Sequence, residues 1–149
     1  TKAAAVYFAA EGAAHLIFIN RTVSKAERLR DAVKHTRSGC GVSVIGLQDE
    51  GAIARVLPTC SVLIQGTSLG LHKGDPMPLS ESVLPETIAV YDMIYRRTAF
   101  LEAAARRGCR TADGKDMLLY QGARSLEIWT GRKAPVEAMR KALYNALKI

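Results

Sequence analysis

No apolar run in this sequence approaches the roughly 20 residues that a membrane-spanning helix requires. The N-terminus also lacks a basic stretch followed by an apolar one and a small-residue cleavage site. A soluble, unexported, cytoplasmic protein with no membrane partner is therefore expected. Cysteine is scarce: Cys40, Cys60 and Cys109 lie far apart without a CxxC pair, and an odd number cannot close a complete disulfide framework. They read as reduced, partly buried thiols. His15, His35 and His72 are equally scattered, so no metal site is indicated. The formal charge is +7, but no basic run with interleaved aromatics carries it. Lysines and arginines stand beside acids, as in KAERLRD; a mildly basic surface that attracts small phosphorylated ligands explains the charge as well, and no nucleic-acid partner is expected.

What is present suffices for one packed core. The chain has 149 residues, 48% of them hydrophobic, which is too few for two ordinary domains, so a single domain over residues 1–149 is expected. Residues 1–10, rich in alanine, predict a helix that stops at Glu11 and Gly12. HLIFIN at residues 15–20 is of strand type. Ser24 followed by Glu27 has the spacing of a capping box and predicts a helix over 24–35, with Ala26, Leu29 and Val33 on one face. Residues 41–47 read as a strand, 48–57 as a short helix broken at Pro58, and 61–65 as another strand. Residues 66–86 hold Gly66, Gly70, Gly74, Pro76, Pro78 and Pro85 and read as loop, leading to a strand over 88–92. Helices are expected over 98–107, ending at Gly108, then over 116–129 and 136–147, the last opened by Pro135.

Strands alternating with helices predict an α/β fold with a Rossmann-like parallel sheet and flanking helices. Such sheets bind ligands at the carboxyl ends of their strands, here the loops after Ile19, Leu47, Gln65 and Asp92. A dinucleotide-binding sheet commonly holds the ribose with an acid at one such end, and a 2′-phosphate with a basic residue instead. HLIFI runs straight into Asn20, Arg21 and Thr22, with Lys25 a turn later and no acid at the strand end. A guanidinium fork, an ammonium, a hydroxyl and the amides of a helix start suit a phosphate dianion. A solvated basic helix start is equally compatible with these four residues alone. No glycine fingerprint precedes the first helix, so the first strand and the pyrophosphate loop are expected to lie outside this chain.

Taken together, NRTVSKAERL after one strand, QGTSLG after another, YDMIY after a third and then ADGKDMLLYQGARSLEIWTG are similar in order and spacing to shikimate dehydrogenases and the related quinate/shikimate enzymes. The similarity covers nearly the whole chain and is to the C-terminal, NADP-binding part of that family. It implies reversible reduction of 3-dehydroshikimate to shikimate by NADPH, within aromatic amino acid (chorismate) biosynthesis. On the same resemblance, Asn20, Arg21, Thr22 and Lys25 hold the adenosine 2′-phosphate, and Thr67 and Ser68 line the cofactor ribose and nicotinamide. Met93, Gly114 and Met117 lie around the nicotinamide, and Tyr95 and Gln121 contact the small-molecule substrate. Physically, Gln121 can donate and accept toward a polyhydroxylated carboxylate, and Gly114 allows a backbone to approach a flat ring. For Met93 and Met117 core filling is the competing reading, and for Tyr95 half-exposed packing.

The chain departs from the family in two ways. Only Arg96 and Arg97 stand between Tyr95 and Thr98, where the family has a longer, proline-containing loop. The family's catalytic lysine and aspartate belong to an N-terminal substrate domain, so Asp92, Asp113 and Lys115 are not assigned those roles and the chain alone is expected to be inactive. The alternatives are another NADP-linked domain, resembling methylene-tetrahydrofolate dehydrogenase or glutamyl-tRNA reductase, a non-catalytic nucleotide-sensing module and, third, a basic nucleic-acid binder. GKDMLLYQ argues against the first pair.

Overall fold

The computed structural model describes residues 2–35, 39–72 and 74–147. It divides into two compact units, Thr1–Ser61 with Ser82–Pro85, and Val62–Glu81 with Glu86–Ile149.

In the first unit, α1 (Lys2–Ala10) is followed by β1 (His15–Asn20), α2 (Val23–Lys34) and β2 (Gly41–Gly46). Thr1, at the head of the first expected helix, lies outside the described residues. β1 and β2 pair in parallel, from His15 opposite Gly41 to Asn20 opposite Gly46, and α2 makes the crossover, packing on both strands. The spacing of Ala26, Leu29 and Val33 does what the sequence requires. Ala26 and Val33 are buried, and Leu29 packs with Leu16, Phe18 and Val42 against the cluster of Ala5, Ala9, Val33 and Cys40. The capping box does not form. Helix α2 starts at Val23, one residue before Ser24, with Thr22 as its N-cap and no side-chain cap bond. The Asn20 side chain takes the Thr22 amide at 2.8 Å and so turns the chain earlier than Ser24 would. Next, α3 (Glu50–Val56) is capped by Asp49, whose carboxylate accepts the Ala52 amide, and ends in a tight turn, Leu57–Thr59, that contains Pro58.

The second unit carries β3 (Val62–Gln65), β4 (Ala89–Asp92) and β5 (Arg110–Ala112), all parallel in the order β3-β4-β5. Between β4 and β5 runs α4 (Ala99–Arg106), packed on both strands. The amides of Gly108 and Cys109 return to the carbonyls of Ala105 and Ala104 at 3.0 Å each, which satisfies the last turn of α4 and leads into β5. α5 (Lys115–Thr130) and α6 (Val136–Leu147) pack on each other. The expected parallel pairing is thus present as two ladders. HLIFIN is apolar on both faces, the composition of an interior parallel strand, yet among the described strands β1 is paired on one side only. No helix among the described residues is long and apolar enough to cross a membrane.

Candidate functional site

The expected site residues fall at the carboxyl ends of the strands in both units. In the first unit Asn20 ends β1, opposite Gly46, and its carbonyl accepts the Leu47 amide at 3.1 Å, so the ends of both strands are held together. Its side-chain oxygen accepts the Thr22 amide, and its NH2 is the donor that an anion would meet. Arg21, Thr22 and Lys25 are exposed. The first turn of α2 contains no acid and its N-cap hydroxyl makes no cap bond. Neither Arg21 nor Lys25 has a carboxylate partner among the described residues. An uncapped positive helix end with two unneutralised cations beside it favours an anion, and a phosphate dianion fits that donor set.

In the second unit the register sets Gln65 beside Asp92 and Tyr91 beside Ala112, so the segments starting at Gly66, Met93 and Asp113 all leave the same edge of the ladder. Met93 and Gly114 come together as backbone. The Gly114 amide donates to the Ile94 carbonyl at 2.8 Å, and a Cβ at position 114 would lie 2.2 Å from the Met93 carbonyl oxygen. The glycine therefore accommodates this protein's own strand end, a reason the sequence did not show. Gly114 is also the N-cap of α5, which places Met117 and Gln121 in its first two turns. Gln121 is exposed, Met117 is 42% exposed and Met93 partly buried, so Met117 does not fill a core; Tyr95 is 39% exposed. Thr67 and Ser68 are exposed, and the Thr67 hydroxyl accepts the Leu69 amide at 3.1 Å, leaving its proton free to donate.

The ionisable groups near this edge are tied down. Asp92 is fully buried and accepts the Ile94 amide at 3.0 Å and the Thr98 hydroxyl at 2.7 Å. Asp113 accepts the Lys115 amide and pairs with the Lys115 ammonium at 3.0 Å, while that ammonium also lies over the Tyr144 ring. They hold connections and helix ends. Burial pushes the Cys109 thiol up, in keeping with an inert thiol, and Cys40, Cys60 and Cys109 form no disulfide. No group of acids, cysteines and histidines able to hold a metal occurs among the described residues. The arrangement offers hydroxyls, an amide, thioethers and close backbone, a set suited to binding and orienting.

Several residues that shape the site gave no sequence signal. Gln65, 4% exposed, donates to the Leu69 carbonyl at 2.9 Å and accepts the Thr67 amide, so a strand-end side chain folds the loop that follows it. Thr98 caps α4 through the Leu101 amide at 3.3 Å while donating to Asp92. Arg140 of α6 bonds Asp116 at 2.7 Å and the Tyr120 hydroxyl at 3.0 Å, joining α6 to the first turns of α5. Asp116 and Tyr120 lie 20 or more residues from Arg140 in the sequence, so no local pattern points to these two contacts.

Residues 114–144 match the family described as the Shikimate 5'-dehydrogenase C-terminal domain. Over 99% of its length the chain is 36% identical to the shikimate dehydrogenase (NADP(+)) of Methanopyrus kandleri, and it covers 51% of that protein. Over 82% of its length it is 41% identical to the enzyme of the same name from Halobacterium salinarum, covering 46% of it. Among solved structures, a shikimate 5-dehydrogenase from Listeria monocytogenes in complex with shikimate and NAD is similar at a TM-score of 0.84 and 25% identity, across 95% of this chain and 51% of that one. The chain spans about half the length of the curated relatives it matches. Similarity along nearly all of its residues, together with the segments placed at the ends of parallel strands, establishes that this chain belongs to the shikimate dehydrogenase family.

Proposed function

We propose that this chain is the NADP-binding portion of an oxidoreductase that reversibly reduces 3-dehydroshikimate to shikimate, on the route to chorismate and the aromatic amino acids. The observation that carries the choice of NADP is the acid-free end of β1, where Arg21 and Lys25 flank an uncapped helix start. Asn20, Arg21, Thr22 and Lys25 would hold the 2′-phosphate, Thr67 and Ser68 the ribose and nicotinamide side, and Met93, Gly114 and Met117 the nicotinamide surroundings. Tyr95 and Gln121 would contact the substrate. NADPH, when bound, supplies the hydride. This chain's own residues orient the two reactants, and proton transfer to the substrate oxygen falls to the rest of the whole protein.

The test is turnover of shikimate with NADP. The whole protein should reduce NADP in the presence of shikimate, and the chain alone should not rise above background. General acid–base help of about 100- to 10,000-fold would be missing from the chain alone. Turnover by the chain alone contradicts the division of labour, and an inactive whole protein contradicts the substrate.

Gln121 gives a more local check. In the whole protein, Gln121→Ala should remove one or two hydrogen bonds to a polar substrate, roughly 1 to 3 kcal/mol of binding. The KM for shikimate should rise more than that for NADP. Equal effects on both ligands would make Gln121 a structural residue.

A further inference from the structure

Tyr95 and Thr98 are separated by Arg96 and Arg97 alone, so the connection from β4 to α4 is short. Both of its ends are tied to one buried carboxylate: Asp92 Oδ1 accepts the Ile94 amide at 3.0 Å and Oδ2 accepts the Thr98 hydroxyl at 2.7 Å. From the middle of this segment Arg96 reaches the loop that follows β3. One terminal nitrogen of its guanidinium, Nη2, donates to the carbonyl of Gly70 at 3.1 Å and to that of Leu71. The same loop carries Thr67 and Ser68.

Other groups prepare those two carbonyls. Asp75 Oδ2 accepts the amides of Gly70 and His72 at 2.9 Å each, bonds that, with the nearby charges of His72 and Arg96, hold its carboxyl below the usual carboxylate range. Gly70 has φ +102°, and a Cβ there would sit 3.1 Å from Thr98 Cγ2 and 3.3 Å from Ile94 Cδ1. The loop backbone therefore lies directly on the β4–α4 connection, in a conformation that a larger residue would strain. Upstream, Gln65 fixes Thr67 and Leu69 from within. Amides of this loop are held by Asp75 and carbonyls by Arg96, a cation matched to carbonyls and an anion matched to amides.

We infer that Arg96 is a positioning residue, clamping the loop that carries Thr67 and Ser68 onto the connection that carries Met93 and Tyr95. The clamp sets the spacing between the side chains assigned above to the cofactor and one assigned to the substrate. What the loop carries rests on the proposed function; the clamp rests on the hydrogen bonds alone. A single ammonium can meet one or both carbonyls but lacks the guanidinium's fixed fork, so lysine should restore part of the effect and alanine none.

The experiment uses the whole protein and the variants Arg96→Ala and Arg96→Lys. Arg96→Ala should lower kcat with shikimate and NADP by about tenfold through misplacement of the reactants, with little change in melting temperature, and Arg96→Lys should recover part of that loss. Amide exchange at Gly70 and His72 should accelerate about tenfold in Arg96→Ala, while the Met93 amide, bonded to the Gln65 carbonyl, stays protected. Unchanged exchange at Gly70 and His72 means that no clamp exists and overturns the inference. Faster exchange with unchanged kinetics also overturns it, because the clamp then positions nothing. A wild-type protein that fails to turn over shikimate with NADP, while its Arg96→Ala variant shows faster exchange at those amides, sinks the proposed function and leaves the clamp standing.

Discussion

Gly114→Ala is expected to destabilise the protein by about 3 kcal/mol or more and to remove most of its activity. The backbone at Gly114 has φ −81° and ψ 9°, which alanine adopts without penalty, so the cost lies in contact. The new Cβ would sit 2.2 Å from the Met93 carbonyl oxygen, 2.6 Å from its carbon and 3.2 Å from the carbonyl carbon of Ile94. These are backbone atoms at the end of β4 and cannot rotate away as a side chain would. Shifting Gly114 outward breaks its amide bond to the Ile94 carbonyl and moves the start of α5, where its own carbonyl accepts the Leu118 amide. That start carries Met117 and Gln121, so the loss of stability and the loss of function share a cause. Gly122→Ala is the control: its Cβ would meet only Met139 Cε at 3.7 Å, and replacing a mid-helix glycine should be neutral or stabilising by up to about 1 kcal/mol. Urea unfolding of both variants decides it. A Gly114→Ala protein within about 1 kcal/mol of wild type would show that α5 is not pinned to β4.

Periodicity over long elements was legible in the sequence. α6 spans Val136–Leu147, the range expected after Pro135, and β1 spans His15–Asn20 as HLIFIN suggested. β5 was not expected, because RTA is three residues long with Arg110 exposed, and its ladder with β4 is a tertiary fact. The start of α2 shows two local signals in competition. Ser24 and Glu27 have capping-box spacing, but Asn20 captures the Thr22 amide first and the helix begins ahead of them. Division of the strands between two ladders was equally out of reach, since pairing depends on which edges meet and not on the composition of each strand.

The candidate site was legible where chemistry is local: no acid at the end of β1, basic residues beside a helix start, and a glycine before α5. The sequence did not show why that glycine is needed, or that Gln65, Asp75 and Arg96 share one loop. Each acts on backbone groups, which leave no trace in residue type. Asp92 and Asp113 illustrate the reverse, acids beside the site whose bonds to Thr98 and Lys115 give them structural work.

Whether the end of β1 reads the 2′-phosphate, as proposed, is decided by cofactor binding to the whole protein with Arg21 replaced. Arg21→Ala removes a charge-assisted contact to a dianion and should weaken NADP binding by about 1.5 to 3 kcal/mol, roughly tenfold to over a hundredfold. Affinity for NAD should hardly change, because NAD carries no phosphate at that position. Lys25→Ala should act in the same direction but less, since an exposed ammonium on a flexible stem makes one well-screened contact. Titration of each protein with both cofactors gives the answer. A loss confined to NADP is expected; equal weakening of NADP and NAD, or no weakening of either, would mean that this strand end does not read the 2′-phosphate.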